Sequence, residues 1–191
     1  RQWSRGLGDV YKRQLLNKSN FGHSTITVND QLHVVDGKAT IAESMDGDQP
    51  QLSFDLTPTF KDQLKSAKRT FTKDSNVSLI IDDNIEINES TKKITWQLIT
   101  TYDVEITTDG VTISKPEYSS VLPVKKLYVE NLSHPQIQMN VVSLDPPPID
   151  LDRRIEGLKR IELNIPVSSV NDNKLAIKIR LRGQKNWRAD Y

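Results

Sequence analysis

The chain has 191 residues, with 26 Lys and Arg against 25 Asp and Glu and a formal net charge of +1. That balance creates no field strong enough to make nucleic acid or an anionic membrane the main partner. The absence of Cys excludes disulfides, thiolate nucleophiles and cysteine-ligated zinc or iron–sulfur sites, and no run approaches the roughly 18 apolar residues of a membrane span. A hydrophobic fraction of 36% with only eight Gly describes one globular domain built from thin sheets.

In chain order, residues 1–14, "RQWSRGLGDVYKRQ", come first. They are rich in Arg and Gly, follow neither a helical nor a strand period, and lack the apolar centre of a signal peptide. The stretch resembles read-through of a library adaptor and is read as a non-native scar, the alternative being a flexible native arm. A start without Met puts the expected true beginning further upstream. The folded unit is expected over residues 15–183, with 184–191 as a tail.

From Thr25 the dominant pattern has period two. "TITV" (25–28) and "QLHVVDG" (31–37) read as short strands parted by the turn pair Asn29-Asp30, and "KATIAES" (38–44) follows the hairpin signal Asp36-Gly37. "QLSFDLT" (51–57) alternates Leu52, Phe54 and Leu56 inward. "TFKDQLKSA" (59–67) is the one segment suited to a helical turn or two, with Phe60 and Leu64 four apart. A meander of strand-length runs follows from 68 to 132, bounded by Asp, Asn, Gly and Ser. Within it Leu79, Ile81, Ile85 and Ile87 share one side of their run, and Ile94, Trp96 and Leu98 share one side of theirs.

The last third adds "QIQMNVVSL" (136–144) and then Pro146–Pro148, a rigid exposed loop that no central strand could contain. "RIELNIPV" (160–167) and "NKLAIKIRLRG" (173–183) are expected to form a terminal hairpin through residues 171–173. About a dozen short alternating strands with almost no helix predict an all-β fold, a two-sheet antiparallel β-sandwich. No fixed-period repeat points to a propeller or solenoid.

Chemistry-bearing motifs are few. No glycine loop has the length or following helix needed to cradle phosphate, and no Ser sits in a nucleophile elbow. Asp82-Asp83 and the Asp150 and Asp152 pair read as turn chemistry beside strand ends. Asp46-Gly47-Asp48 resembles part of a calcium loop, but the oxygen ligands stop too soon. Arg153–Arg160, interrupted by Glu156 and apolar residues, reads as a solvated face. Trp96 fits the core side of its strand, whereas Trp187 fits either a core or a sugar-stacking role. His33 and His134 read as structural or solvent-facing. His23, between Gly22 and the first strand, is open among ligand, catalyst and bystander.

Gly22-His23-Ser24-Thr25, Val28-Asn29-Asp30-Gln31 and Val35-Asp36-Gly37-Lys38-Ala39, taken in order, resemble the start of a known domain. It is the C-terminal β-sandwich of the heparinase II/III-like polysaccharide lyases, a superfamily that includes alginate lyases. "DLTPTFKDQLKSAKRTF" (55–71) is similar to that family's helical turn leading to a strand through Ala-x-Arg. "ITWQLITTYDVEITTDGVTIS" (94–114) is similar to its Trp-bearing strand and the hairpins after it. The resemblance covers roughly residues 15–183.

The resemblance implies a parent protein with an α-helical toroid upstream, cleaving uronic-acid polysaccharides (alginate or a glycosaminoglycan) by β-elimination in the periplasm or outside the cell. A Tyr or His would remove the C5 proton while the substrate carboxylate is neutralised. Those residues lie on the toroid and in an upstream His-Gly-His segment, so no catalytic residue is expected here and the fragment is expected to be inactive alone. One position carries over: His23, as a ligand of a structural zinc completed by the second His of that upstream segment and an upstream Asp. Ser24 departs from the commoner Asn. Structural zinc takes about four ligands, so this chain alone is not expected to hold the metal. The competing reading is a free-standing carbohydrate-binding or structural sandwich, disfavoured by an aromatic content of only 6%.

Overall fold

A computed structural model describes residues 15–115, 125–170 and 172–184. Residues 1–14, Asn171, Trp187 and the tail beyond 184 lie outside the described residues. Among the described residues, twelve strands form two antiparallel sheets. The smaller has the order β1 (Ile26–Val28), β6 (Lys93–Thr100), β11 (Lys159–Pro166), β10 (Asn140–Ser143). The larger runs β2 (Thr40–Met45), β3 (Gln51–Asp55), β4 (Leu64–Ser75), β5 (Ser78–Ile87), β12 (Lys174–Gly183), β9 (Lys126–Asn131), β8 (Gly110–Ser114), β7 (Asp103–Thr107). The predicted all-β sandwich is therefore the observed architecture. No helix among the described residues is long and apolar enough to cross a membrane.

The core lies between the sheets, where alternation delivers every second side chain. From the smaller sheet come Ile26, Val28, Ile94, Trp96, Ile161, Leu163 and Ile165; from the larger come Ala67, Ile81, Ile85, Ile87, Leu175, Ile177 and Ile179. Register explains the match: Leu163 stands opposite Trp96 and Ile165 opposite Ile94, so one row of branched side chains runs across β1, β6 and β11. Phe60, fully buried, plugs one end of this layer from the short 3-10 turn Thr57–Phe60.

Four sequence expectations fail, each for a physical reason. Gln31–Gly37 forms no strand. Asn29 and Asp30 both adopt left-handed backbone angles (φ 51° and 56°), a conformation Asn and Asp tolerate, and the chain then folds as a loop across the sheet edge. The helical signal at 59–67 yields a 3-10 turn ending at Phe60, and Leu64 already opens β4, although both apolar residues are buried as expected.

In β3 the buried residue is Ser53, while Leu52 and Phe54 are only half covered, β2 and β3 lying at one edge of an eight-stranded sheet whose partner has four strands. The terminal hairpin does not exist. β11 pairs with β6 and β10, whereas β12 pairs with β5 and β9, so the connection crosses from one sheet to the other.

Candidate functional site

The outer face of the smaller sheet is covered by residues 15–25, and this cover carries His23. The segment turns through Asn20–Gly22 and enters β1 at Ile26. Gly22 is required by close approach: a Cβ there would meet the Leu16 carbonyl oxygen at 2.0 Å. The backbone is fastened to β6 beyond the three residues of β1 itself. Gln97 N–H donates to the Thr25 carbonyl (2.9 Å), Ile99 N–H donates to Ser24 Oγ (3.1 Å), and Gln97 Nε2 donates to the His23 carbonyl (2.7 Å). At the far end, Leu16 N–H donates to Asp152 Oδ2 (2.7 Å). Asp152 thus anchors the cover, a role beyond turn chemistry.

His33 arrives at the same place by a different route. After the Asn29-Asp30 reversal, Gln63 Nε2 donates to the Leu32 carbonyl (2.8 Å) and Val34 N–H donates to the Thr59 carbonyl (3.2 Å). His33 N–H donates to Asn20 Oδ1 (3.1 Å). The imidazole stands edge-on to Phe60, with ring centroids 4.6 Å apart. Its Nε2 lies 2.7 Å from the Ile26 carbonyl, which can only accept, so neutral His33 carries its proton on Nε2.

His23 and His33 line one groove of about 680 Å³, with Lys18, Ser19, Thr25 and Val35 also on its walls. The sequence offered no reason to place these two histidines together; the left-handed turn at Asn29-Asp30 is what does so. Burial holds His33 below the ordinary histidine range, the bond to Ile26 opposes this, and the charges of His23 and Arg69 add to the lowering. His23 itself is exposed on the rim. Ser19, almost fully buried, leaves its hydroxyl oxygen without a partner among the described residues.

Behind the groove lies the feature sequence reasoning missed. Asp83 sits in the middle of β5 on the core side, fully buried, in the slot between Ile81 and Ile85. It is no turn residue. Arg69, its register partner on β4, grips it through both oxygens: Nε to Oδ1 at 2.6 Å and Nη2 to Oδ2 at 2.8 Å. Arg69 Nη1 reaches the Ser24 carbonyl at 3.5 Å, beside His23. Burial pushes the Asp83 carboxyl above the usual carboxylate range against the opposing pull of Arg69. The Trp96 indole leans toward the same carboxylate and favours its ionised form, but Nε1 falls short of a well-aligned hydrogen bond. The available signal was the inward alternation itself, which places Asp83 among isoleucines and Arg69 between Ala67 and Phe71.

Other candidates settle simply. His134 Nε2 donates to the Ala176 carbonyl (3.0 Å), a structural role. Trp96 is core, 2% exposed. Within Arg153–Arg160, Arg154 pairs on the surface with Asp145, and Arg160 is tied to Glu162 and the Phe21 carbonyl rather than solvated. Asp46, Gly47 and Asp48 form an exposed turn between β2 and β3. Among the described residues no three His, Cys, Asp or Glu side chains come together as a metal set. A metal at His23 would therefore need donors from outside the described residues.

Compared with models of protein families the chain matches none, and no curated protein sequence matches it. Solved structures do. The heparan sulfate lyase HepC from Pedobacter heparinus superimposes with a TM-score of 0.62 at 13% identity, over 99% of this chain and 27% of that one. A heparinase III gene product, BT4657, gives a TM-score of 0.62 at 12% identity, over 92% of this chain and 26% of that one. A further heparinase III gives 0.58 at 11% identity, over 87% and 24%. The chain spans about a quarter of the length of these structures, and what it shares with them is the fold of a heparinase-like β-sandwich.

Proposed function

We propose that the chain is the C-terminal β-sandwich of a polysaccharide lyase acting on uronic-acid polysaccharides, alginate or a glycosaminoglycan, by β-elimination. The sandwich packs against an upstream α-helical toroid that carries the proton-transfer residues, and it is inactive alone. One observation supports this reading above the others: nearly the whole chain aligns with a part, about 27%, of heparan sulfate lyase HepC. The ordered motifs from Gly22 to Ala39 and from Asp55 to Phe71 point the same way. A polymeric substrate of this kind supports a parent protein in the periplasm or outside the cell.

His23 fits the zinc role in its chemistry: an exposed imidazole on a segment fastened to β6 offers a nitrogen donor held at a fixed place. It would hold a structural zinc together with upstream His and Asp residues. The metal would tie the sandwich to its helical partner. Calorimetry with zinc on this chain should show weak or no binding. Sub-micromolar binding abolished by His23→Ala would mean that the partners lie within this chain.

The coding sequence upstream of Leu15 tests the functional reading. Helical hairpins bearing Trp and Tyr, followed by a His-Gly-His segment, are expected. A signal peptide directly before Leu15 would instead favour a free-standing carbohydrate-binding module.

A further inference from the structure

Gln97 is 2% exposed, although it sits on the outer face of the smaller sheet, opposite Glu162. Every hydrogen bond of its side chain goes to one short segment. Its amide nitrogen donates to the His23 carbonyl at 2.7 Å and, by a short contact, to the Asn20 carbonyl. Its amide oxygen accepts from Thr27 Oγ1 at 3.2 Å. Both donors and the acceptor are thus used, which leaves the amide no freedom to flip.

Asn20, 6% exposed, continues the chain of bonds. Its Nδ2 donates to Thr27 Oγ1 (2.9 Å) and the Gln31 carbonyl (3.0 Å), and its Oδ1 accepts from His33 N–H (3.1 Å). A line of bonds therefore runs from β6 through Gln97, Asn20 and Thr27 to the backbone of both groove histidines. Leu or Val would satisfy the fold here with less risk, because a buried amide is costly wherever a partner is lost.

We infer that Gln97 is a positioning residue: through the His23 carbonyl and through Asn20 it fixes where His23 and His33 stand on the common groove. Its two donors hold the 3-10 turn at Asn20–Gly22 closed so that His23 leaves the turn in one orientation. The inference deepens the proposed role of His23, but the geometry it asserts holds whatever that histidine binds.

Two variants of the whole 191-residue chain test it. Gln97→Met removes the donors and keeps an unbranched apolar side chain of similar reach; Gln97→Glu removes them and keeps a polar one. The readouts are the backbone amide order parameters of residues 20–25 and the imidazole carbon and nitrogen shifts of His23 and His33 by NMR. Ile161 and Leu163 in β11 serve as the reference for an intact sandwich.

Both variants should lower order parameters across 20–25 from values near 0.85 to below about 0.6 and move both imidazoles' shifts, while the β11 signals stay as in the wild type. Unchanged order and unchanged imidazole shifts with a folded β11 would overturn the inference. If either variant loses the β11 signals too, Asn20→Ala, which leaves β6 intact, decides the matter. It removes the side-chain bonds to Thr27, Gln31 and His33 but keeps the Asn20 and His23 carbonyls that Gln97 holds. It should therefore move the His33 shifts and leave residues 20–25 ordered; an unmoved His33, or disorder across 20–25, would refute the role. None of these readouts involves polysaccharide cleavage, so a failed inference and a failed lyase reading remain distinguishable.

Discussion

Asp83 stands where the alternation of β5 calls for an apolar residue, and its presence there depends entirely on Arg69. A buried ion pair of this kind contributes little net stability, yet losing one partner leaves an uncompensated charge in the core. Asp83→Asn or Arg69→Met alone should each lower the unfolding free energy by about 3–5 kcal/mol in urea titration. The double replacement Arg69→Met with Asp83→Leu should cost far less than the sum, and strict additivity would refute the pairing.

His33 gives a pH signature at the same scale. The folded state takes up its proton less readily than the unfolded chain, whose ordinary value is 6.5. Its contribution is complete above that value and is lost as pH falls from 6.5 through the lower folded value. Melting temperatures of the wild type should therefore drop relative to His33→Gln between about pH 7.5 and pH 5. A constant difference would show that the imidazole titrates freely. The Asp83 and His33 environments were poorly legible in the sequence: Asp82-Asp83 read as turn chemistry although the flanking isoleucines alternate inward, and nothing local announced that Arg69 stood opposite.

At the scale of elements, period-two alternation located ten of the twelve strands within a residue or two, because a half-buried strand must alternate. It could not say which sheet a strand joins. β11 and β12 carry the same pattern and lie next to each other in sequence, yet they belong to different layers, since each finds its apolar partner row elsewhere. Gln31–Gly37 failed because the chain runs as a loop after the Asn29-Asp30 reversal: Leu32, His33 and Val34 are half-buried in succession rather than in alternation, and His33 stands edge-on to Phe60.

Gly110 closes the β7–β8 hairpin at φ +153°, and a Cβ there would meet the Val129 carbonyl oxygen of β9 at 2.0 Å. Gly110→Ala should destabilise by at least about 1–3 kcal/mol from backbone strain alone. Chemical denaturation reads this directly, and a neutral result would mean that the hairpin can shift away from β9. Phe60, fully buried at the sandwich end, should cost about 3–5 kcal/mol when cut to Ala.

At the scale of the molecule, two sheets of four and eight strands bury one core and leave a groove lined by half-buried His33, with exposed His23 on its rim. The order of short motifs around His23 and Trp96 made the architecture legible, while the pairing of His23 with His33 was not, because it depends on a tertiary reversal. The account holds that this rim is one wall of a site completed by a helical partner. The most direct measurement is absorbance of the unsaturated product formed on heparan sulfate and alginate, by this chain and by the chain extended through its upstream coding sequence. The account predicts no product from the chain alone and steady product from the extended protein on one of the two polymers. Product from the chain alone, or none from the extended protein on any uronic-acid polysaccharide, would contradict it.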